Sequence, residues 1–243
     1  MASGRQDLKG QVAIITGASS GIGAAVARDL AEAGMRLVVT ARREERLRAL
    51  AEETGAVWLA GDITAPDLPV RLLDTALGRF GRVDVVFNNA GVMDAGPVEA
   101  MDVEQIARMV RVNVEAAFRV AYHALVYFKR EDRGTLVNVS SILGTRVRPH
   151  VGWYAGTKFA VEGLTEALRM EFAGTNVRIT AIQPGSTLTE LQDHWPAHAR
   201  GARNRKAPLL PEDIARIVRF VLEQPPHVRI PRVLAVPAEQ GTP

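Results

Sequence analysis

The 243-residue chain has no cysteine and no long apolar run. The missing cysteine excludes disulfides, thiolate nucleophiles and cysteine-ligated metals, and it is typical of a cytoplasmic protein. No apolar run approaches the roughly 20 residues that cross a bilayer, so we expect no membrane partner. The amino-terminal MASGRQDLKG lacks the apolar core of a secretory signal, so we expect the protein to stay in the cytoplasm.

The sequence gives little support for metal binding or for nucleic-acid binding. The five histidines are scattered, and none is spaced with acidic residues as a metal-ligand set would be. The net charge is only +3, and the basic residues of 41–48 alternate with glutamates, as on a solvated helix face. A second basic cluster, at 200–206, lacks stacking aromatics. A nucleic-acid binder built on that cluster would be retained on DNA in a salt-dependent way.

Short runs rich in β-branched residues alternate with longer segments of helical apolar periodicity. The runs are apolar on nearly every consecutive residue, which is typical of strands covered by helices on both faces. This alternation predicts a parallel sheet with right-handed crossovers. Helices are expected at about 104–129 and 152–173. We therefore expect one α/β domain over 1–243 with a Rossmann-type doubly wound sheet, its strands at 11–16, 36–40, 56–60, 83–87, 134–140, 177–183 and 232–237.

A glycine-rich turn, TGASSGIG, directly follows the first strand and contains Gly17, Gly21 and Gly23. Without side chains the backbone can approach a phosphate, and the next helix, expected from about Ile22, would direct free N–H groups at it. Tight turns use glycine for steric reasons as well. The position between the first strand and the first helix nevertheless favours a pyrophosphate site.

The end of the second strand, VVTARRE, bears on the choice of dinucleotide. NAD-binding folds usually place a carboxylate there for the ribose 2′-hydroxyl. This chain has Arg42 and Arg43 instead, with no acid before Glu44. A guanidinium can bind a 2′-phosphate through two hydrogen bonds, so we predict NADP(H), with Arg42 as the ligand and Arg43 in support. The alternative is that Arg42 is an ordinary surface arginine at a helix start.

Tyr154 and Lys158 are four residues apart, which places them on one face of a helix. A nearby ammonium favours the phenolate, so we expect Lys158 to lower the pKa of Tyr154 and make it a general acid and base. Ser141 follows a strand and can hydrogen-bond a substrate oxygen, and Asn113 is polar within an apolar helical pattern. Taken singly, these residues also fit a core tyrosine, an extended lysine and a turn serine.

Taken together, these motifs make the chain resemble the short-chain dehydrogenase/reductase family from about Lys9 to Pro237. The resemblance rests on TGASSGIG, NNAG at 88–91, Asn113, Ser141, the Y-x-x-x-K pair, and PGSTLTE at 184–190. Ser141 is chosen over Ser140 because the family's serine lies thirteen residues before its tyrosine. The carboxyl-terminal segment from residue 211 is similar to a subgroup that includes clavulanic-aldehyde reductases and 3-hydroxy-acid dehydrogenases.

The resemblance implies hydride transfer between NADP(H) and a small carbonyl or alcohol substrate. Tyr154 would exchange a proton with the substrate oxygen, Lys158 would bind the nicotinamide ribose and tune Tyr154, and Ser141 would polarise the carbonyl. Asn113 would hold a water of the proton relay. These four residues are the expected catalytic set.

The resemblance also implies a set of cofactor contacts. Asp62 would meet the adenine, Asn89 would lie beside the adenosine ribose, and Thr189 near the carboxamide or the phosphates. The full set expected at the cofactor is Gly17, Ser19, Ser20, Gly21, Ile22, Gly23, Arg42, Arg43, Asp62, Ile63, Asn89, Ala90, Gly91, Tyr154, Lys158, Pro184, Gly185, Thr187 and Thr189.

Residues after the strand ends should form the substrate pocket. Expected there are Met93, Asp94, Ile142 to His150, Trp153 and Ser186 to about Lys206. Arg146, Arg148 and His150 would either bind a substrate carboxylate or be solvated loop charges. Residues 188–210 are expected to form a lid that excludes water.

Two expectations concern partners and the rival function. The helices at 104–129 and 152–173 have broad apolar faces, and any excess over what packs on the sheet would form a subunit interface. The resemblance implies a homodimer or homotetramer. A second hypothesis is a catalytically silent NADP(H)-binding sensor or scaffold. The intact Ser141, Tyr154, Lys158 and Asn113 argue against it, because a pure binder needs no proton relay.

Overall fold

The structure is a computed structural model that describes residues 4–195 and 206–241. All seven strands expected from the apolar runs are present, and all are parallel. They are β1 (Val12–Thr16), β2 (Arg36–Ala41), β3 (Val57–Ala60), β4 (Val85–Asn88), β5 (Gly134–Val139), β6 (Val177–Pro184) and β7 (Arg232–Ala235). The order across the sheet is β3-β2-β1-β4-β5-β6-β7, which confirms the doubly wound Rossmann-type fold.

Helices cover both faces of this sheet. They are α1 (Gly21–Glu32), α2 (Glu44–Thr54), α3 (Leu68–Phe80), α4 (Val103–Val110), α5 (Ala117–Glu131), α6 (Gly152–Glu171) and α7 (Pro211–Leu222). Alternate residues of β1 face opposite layers, since Ala13 and Ile15 pack with α1, α2 and α7, whereas Val12 and Ile14 pack with α3 and α5. The consecutive apolar residues of the strands are explained by this burial on both faces.

The position of the functional cleft follows from the strand order. From β1 the chain passes outward to β2 and β3, then returns across to β4 and continues to β7. The loops after β1 and β4 therefore leave the sheet in opposite directions and open a crevice at the carboxyl ends of these strands. Ligands of doubly wound folds bind in such a crevice.

The single helix expected at about 104–129 is wrong in one respect. α4 and α5 are separated by a π-helical segment, Arg111–Ala116, which contains Asn113. The Asn113 side chain bonds both backbone groups of Val92, in the loop after β4, so a contact distant in sequence accompanies the wider helical turn. Such π-helical turns are frequent at functional sites.

The region expected to form a lid is only partly described. Residues 196–205, and with them Pro196 and most of the basic cluster at 200–206, lie outside the described residues. The flanking residues are paired with each other, since the N–H of Leu188 donates to the carbonyl of Leu209 at 2.7 Å, and the N–H of Leu209 to that of Ser186 at 3.1 Å.

Residues 4–195 and 206–241 contain neither a membrane-spanning helix nor a metal-binding cluster. No helix there is long and apolar enough to cross a bilayer. In the same part of the chain, no three histidine or acidic side chains are placed to hold a metal ion.

Candidate active site

A cleft of about 810 Å³ runs along the carboxyl ends of the central strands. Its walls come from the turn after β1, the end of β2, the loops after β4, β5 and β6, and the first turns of α6. Every residue that the sequence assigned to the cofactor lines this cleft except Gly23. Gly23 packs behind the turn, where a Cβ would lie 2.4 Å from the carbonyl oxygen of Gly17.

The turn after β1 has the shape of a phosphate cradle. Gly17 and Gly21 have positive φ angles of 68° and 53°, which favour glycine. A Cβ on Gly17 would lie 2.8 Å from the Nδ2 atom of Asn89, so this position has no room for a side chain. Ser20 precedes α1 without a side-chain cap, which leaves the first N–H groups of the helix available to an anion. These residues fit a dinucleotide pyrophosphate.

The NNAG motif fastens the end of β4 to the end of β1. The hydroxyl oxygen of Thr16 accepts the backbone N–H groups of Asn89 and Ala90 at 2.9 and 3.0 Å. The side-chain amide of Asn89 donates to the carbonyl of Thr16 at 2.9 Å. These bonds hold the two loops of the switch point at a set distance, so the floor of the cleft is rigid.

The arginines after β2 differ in their contacts. Arg42 is exposed, lines the cleft, and makes no hydrogen bond or ion pair within the described residues. Arg43 donates to the hydroxyls of Ser19 and Ser20 at 3.1 and 2.6 Å and pairs with Glu190 at 2.6 Å. The phosphate turn and the end of β2 are thus joined through Arg43, while Arg42 remains free to bind an anion.

Asp62 lies on the same side of the cleft. Its carboxylate accepts the backbone N–H and the hydroxyl of Thr64 at 2.9 and 2.8 Å. The backbone bond is the main reason that the pKa of Asp62 is lowered, and the charges of Arg42 and Arg108 add to it against partial burial. Asp62 is therefore a fixed anionic acceptor at the edge of the cleft.

Ser141 and Tyr154 meet at the other end of the cleft. Ser141 precedes a short 3-10 turn, Ile142–Gly144, and its hydroxyl oxygen accepts the N–H of Leu143 at 3.1 Å. Tyr154 is buried in the first turn of α6, close enough to Ser141 for that hydroxyl to oppose the rise that burial causes in the pKa of Tyr154. The neighbouring hydroxyl of Ser140 is packed against Gly144 and has no hydrogen-bond partner in the described structure. Ser141, rather than Ser140, is therefore the serine that acts on the tyrosine.

The expected effect of Lys158 on Tyr154 is not found in this structure. The Lys158 ammonium donates to the carbonyl of Val139 at 2.9 Å and lies 5.7 Å from the centroid of the Tyr154 ring. Burial raises the pKa of Tyr154, and Ser141 opposes this shift. Burial also lowers the pKa of Lys158 to about 8, against the charge of Glu162. The lysine's bond to the backbone and the burial of both groups explain the difference.

Asn113 is buried, and its side chain has partners that the sequence did not indicate. Both amide hydrogens are used, one on the carbonyl of Val92 at 2.8 Å and one on the hydroxyl of Thr157 at 3.1 Å. The side-chain oxygen accepts the N–H of Val92 at 2.9 Å. Asn113 therefore joins the loop after β4 to α6, and the expected water cannot be bound through its side-chain amide hydrogens.

Glu162 is a buried residue of this region that the sequence analysis missed. Its carboxylate accepts a hydrogen bond from Gln183 at 2.8 Å and pairs with Arg232 at 3.2 Å. It lies one helical turn after Lys158, just as Lys158 lies one turn after Tyr154. The sequence contains a signal for Glu162, because Tyr154, Lys158 and Glu162 follow one another at intervals of four. This spacing places the carboxylate on the helix face that is directed toward the sheet.

The substrate end of the cleft is formed by only part of the expected set. Met93, Asp94 and Arg148 line it, together with Ile142, Leu143 and several residues between Ser186 and His194. Arg146 and His150 do not line it, and neither does Trp153, whose exposure is 44%. Trp153 precedes Tyr154 on the helix, so its side chain points roughly 100° away from the cleft.

Polar and apolar contacts close this end of the cleft. The Nε2 atom of His194 lies 2.7 Å from a carboxylate oxygen of Asp94, which connects the loop after β6 with the loop after β4. Trp195 is buried in an apolar cluster with Met93, Tyr154 and Leu143. Arg148 makes no hydrogen bond or ion pair within the described residues, which leaves a free cation at the cleft wall.

A doubly wound sheet, a phosphate cradle at its switch point and a serine–tyrosine–lysine group beside it define a nucleotide-dependent oxidoreductase. Residues 11–200 match the family model described as short chain dehydrogenase. The chain belongs to the short-chain dehydrogenase/reductase family.

Relatives and solved structures support this assignment along the whole chain. An uncharacterized oxidoreductase of Staphylococcus saprophyticus is 34% identical over 97% of this chain and 99% of its own length. A closed form of serine dehydrogenase complexed with NADP+ has a TM-score of 0.90 at 26% identity, over 96% of this chain and 97% of that chain. The 3-ketoacyl-(acyl-carrier-protein) reductase of Brucella melitensis, complexed with NADH, has a TM-score of 0.85 at 29% identity, over 94% and 98%.

Proposed function

We propose that this protein is an NADP(H)-dependent oxidoreductase that interconverts a carbonyl and an alcohol, with Tyr154 as the general acid and base. The observation that carries the proposal is that Ser141 and the buried side chains of Tyr154 and Lys158 line the wall of a cleft whose opposite end is a phosphate cradle. A binding protein has no need of a buried tyrosine and a buried lysine at that position.

The chain's own residues provide the means to hold the cofactor. The turn from Gly17 to Ile22 would bind the pyrophosphate, and Asp62 and Asn89 would lie beside the adenosine. Lys158 and the cleft-lining residues between Pro184 and Thr189 would lie at the nicotinamide end. When bound, the nicotinamide ring supplies or accepts the hydride.

The catalytic residues then carry out the proton transfer. In carbonyl reduction, Ser141 donates a hydrogen bond to the substrate oxygen, which becomes negatively charged, and Tyr154 gives it a proton. Because burial raises the pKa of Tyr154, this side chain is protonated at neutral pH and ready to act as the acid. Lys158 supports the developing phenolate with its positive charge. Asn113 positions α6 against the loop after β4 through its bonds to Thr157 and Val92.

The preference for NADP(H) is supported by charge at the end of β2. Arg42 has no ion-pair partner within the described residues and faces the cleft, and Arg43 lies beside it. A carboxylate, which would repel a 2′-phosphate, is missing from this place. The neighbour named serine dehydrogenase was solved with NADP+.

The substrate we propose is a small carbonyl compound that carries an anionic group. Arg148 is a cation at the cleft wall that has no ion-pair partner among the described residues, and Asp94 is already paired with His194. The likeness to a serine dehydrogenase and the similarity of the carboxyl-terminal segment to 3-hydroxy-acid dehydrogenases and clavulanic-aldehyde reductases agree with such a substrate. NADPH absorbance followed against matched keto acids, neutral ketones and aldehydes tests this, and equal rates for acids and neutral analogues would contradict it.

We further propose that the chain works in the cytoplasm as one catalytic domain and assembles as a homodimer or homotetramer. α5 and α6 expose large apolar side chains, among them Tyr122 (64% exposed), Val126 and Phe159. Other apolar residues of the segment 104–129, Met109 and Phe128 among them, are buried in the core, so the candidate interface is the outer face of α5 and α6. Light scattering at micromolar concentration is expected to give at least the mass of a dimer, and a monomer would overturn the assembly.

The experiment that tests the function is Tyr154→Phe. The variant should lose carbonyl reduction by at least about 100-fold, because general acid catalysis contributes roughly 10²–10⁴-fold. Its affinity for NADPH, measured by fluorescence titration, should remain within about threefold of wild type. The matched control is Tyr122→Phe, which removes the hydroxyl of an exposed tyrosine and should leave the rate unchanged. A wild-type protein that binds NADPH but reduces no carbonyl in a broad panel would instead support the sensor hypothesis.

A further inference from the structure

The carboxylate of Glu190 joins two arginines across the cleft. Its Oε2 atom lies 2.6 Å from Arg43 and its Oε1 atom 2.6 Å from Arg46. Both arginines belong to the start of α2, whereas Glu190 follows β6 in a short 3-10 turn, Glu190–Gln192. The segment after β6 is therefore held to the adenosine side of the cleft by two ion pairs.

These ion pairs lie directly at the phosphate cradle. The methyl carbon of Thr189, the residue before Glu190, is 3.0 Å from the position that a Cβ on Gly21 would take. Arg43 also binds the hydroxyls of Ser19 and Ser20 in the same turn. The carboxylate of Glu190 is thus paired with Arg43, the same arginine that contacts the phosphate cradle.

Glu190 is charged under all working conditions. The hydrogen bonds from Arg43 and then Arg46 are the main reasons that its pKa falls to about 2. Arg42, by contrast, has no such partner within the described residues. One of the two adjacent arginines predicted for the 2′-phosphate is therefore occupied by an anion of the protein, and the other is free.

We propose that Glu190, held by Arg43 and Arg46, is a built-in competitor of the cofactor's 2′-phosphate for Arg43, which moderates NADP(H) affinity and favours its release. The inference rests on the proposed function, since it assumes that NADP(H) is the ligand of this cleft. A 2′-phosphate offers Arg43 more charge and more acceptor oxygens than a carboxylate does. A cofactor without the 2′-phosphate has no group at this position that could replace the Glu190 carboxylate on Arg43. When NADP(H) leaves, the carboxylate can pair with Arg43 again.

The competition has a consequence that a merely structural ion pair would not have. Removing the charge in Glu190→Gln should strengthen the binding of ligands with a 2′-phosphate and leave otherwise identical ligands unaffected. If Glu190 instead closed over the bound cofactor as a strap, the same substitution would weaken both ligands. Because exposed ion pairs are individually weak, we expect a gain of about threefold to tenfold.

The test is isothermal titration calorimetry of the full chain with adenosine 2′,5′-bisphosphate and adenosine 5′-monophosphate, which differ only in the 2′-phosphate. Glu190→Gln should bind the bisphosphate about threefold to tenfold more tightly than wild type does and the monophosphate with unchanged affinity. Glu44→Gln is the matched control, because Glu44 is an exposed carboxylate of the same helix start that pairs with Arg48 at 3.0 Å. That control should change neither affinity by more than about twofold.

The outcomes separate the two proposals. Unchanged or weaker binding of the bisphosphate by Glu190→Gln, or an equal gain for both ligands, would overturn the competitor role and leave the proposed function intact. Failure of the wild-type protein to bind either nucleotide would overturn the proposed cofactor site and the competitor role together. Unfolding curves of Glu190→Gln show whether the variant is folded. Glu190→Asp has a shorter side chain that should hold the two arginines less well, so its gain in affinity for the bisphosphate should be intermediate.

Discussion

The ammonium of Lys158 donates a hydrogen bond to the backbone carbonyl of Val139, with 2.9 Å between the nitrogen and the oxygen. Val139 ends β5 directly before the serines, so this bond anchors the start of α6 to the strand that carries Ser141. The lysine is buried, and desolvation lowers its pKa to about 8 from 10.5. The bond therefore orients the Lys158 ammonium. Burial of this charge has a free-energy cost, which other interactions in the folded protein must offset.

Burial of Lys158 should make stability depend on pH in the alkaline range. Between about pH 8 and 10.5 the unfolded chain still holds the lysine proton that the folded protein has lost, so the free energy of unfolding rises with pH there. Lys158→Met cannot titrate at this position. The stability of the variant relative to wild type should therefore decline by up to about 3 kcal/mol across that window. Urea unfolding near neutral pH and at about pH 9.5 measures the change.

The control for this measurement is Lys129→Met, which removes an exposed lysine of α5. Its stability relative to wild type should be the same at both pH values. A difference between Lys158→Met and wild type that does not vary with pH would show that the buried lysine keeps its ordinary titration.

Ser141→Ala should move the pH profile of alcohol oxidation upward. Ser141 lowers the pKa of Tyr154 against the rise that burial causes, so loss of its hydroxyl leaves the phenolate less stable. Oxidation needs the deprotonated tyrosine, and the alkaline rise of its kcat/KM should therefore shift to higher pH. The rate of reduction should also fall by about 10²–10³-fold if Ser141 binds the charged substrate oxygen.

Ser140→Ala serves as the comparison, because the Ser140 hydroxyl is buried and unpaired among the described residues. That variant should keep the wild-type pH profile. The same shift in both variants would mean that disturbance of the loop after β5, and not loss of the Ser141 hydroxyl, is responsible.

Arg42→Asp should reverse the preference for NADP(H). The substitution removes a free cation from the cleft and introduces a charge that repels a 2′-phosphate and suits a ribose hydroxyl. The ratio of kcat/KM for NADPH over NADH should fall by about 10–100-fold, as expected for loss of a hydrogen bond to a charged group. Arg146→Asp, at an exposed arginine that does not line the cleft, should leave the ratio as it was. An unchanged ratio in Arg42→Asp would rule out Arg42 as the phosphate ligand.

The strands and the cradle were accessible to sequence reasoning because their causes are local. Each strand is apolar on consecutive residues, and the observed bounds differ from the expected ones by at most two residues at either end. The glycines of the turn are needed for positive φ and for close packing, both of which a sequence signals directly. The spacing of Tyr154 and Lys158 likewise predicts that they share a helix face.

The features that the sequence did not predict depend on contacts between residues that are distant in sequence. The π-helical segment around Asn113 coincides with bonds to Val92, 21 residues away, which no helical period reveals. The pKa of Tyr154 depends on how deeply it is buried and on where the Lys158 ammonium is bound, and spacing alone gives neither. Glu190 lies 147 positions from Arg43, and their contact exists only because β6 and β2 end at the same edge of one sheet.

By itself, the sequence determined the kinds of element, the layered fold and the chemical groups present, because backbone propensity, apolar period and residue spacing act over a few residues. Tertiary structure alone decided which groups are buried, which charges are already paired and which remain free. Desolvation and ion pairing depend on distances in space, so the difference between the free Arg42 and the occupied Arg43 appears only once the chain has folded.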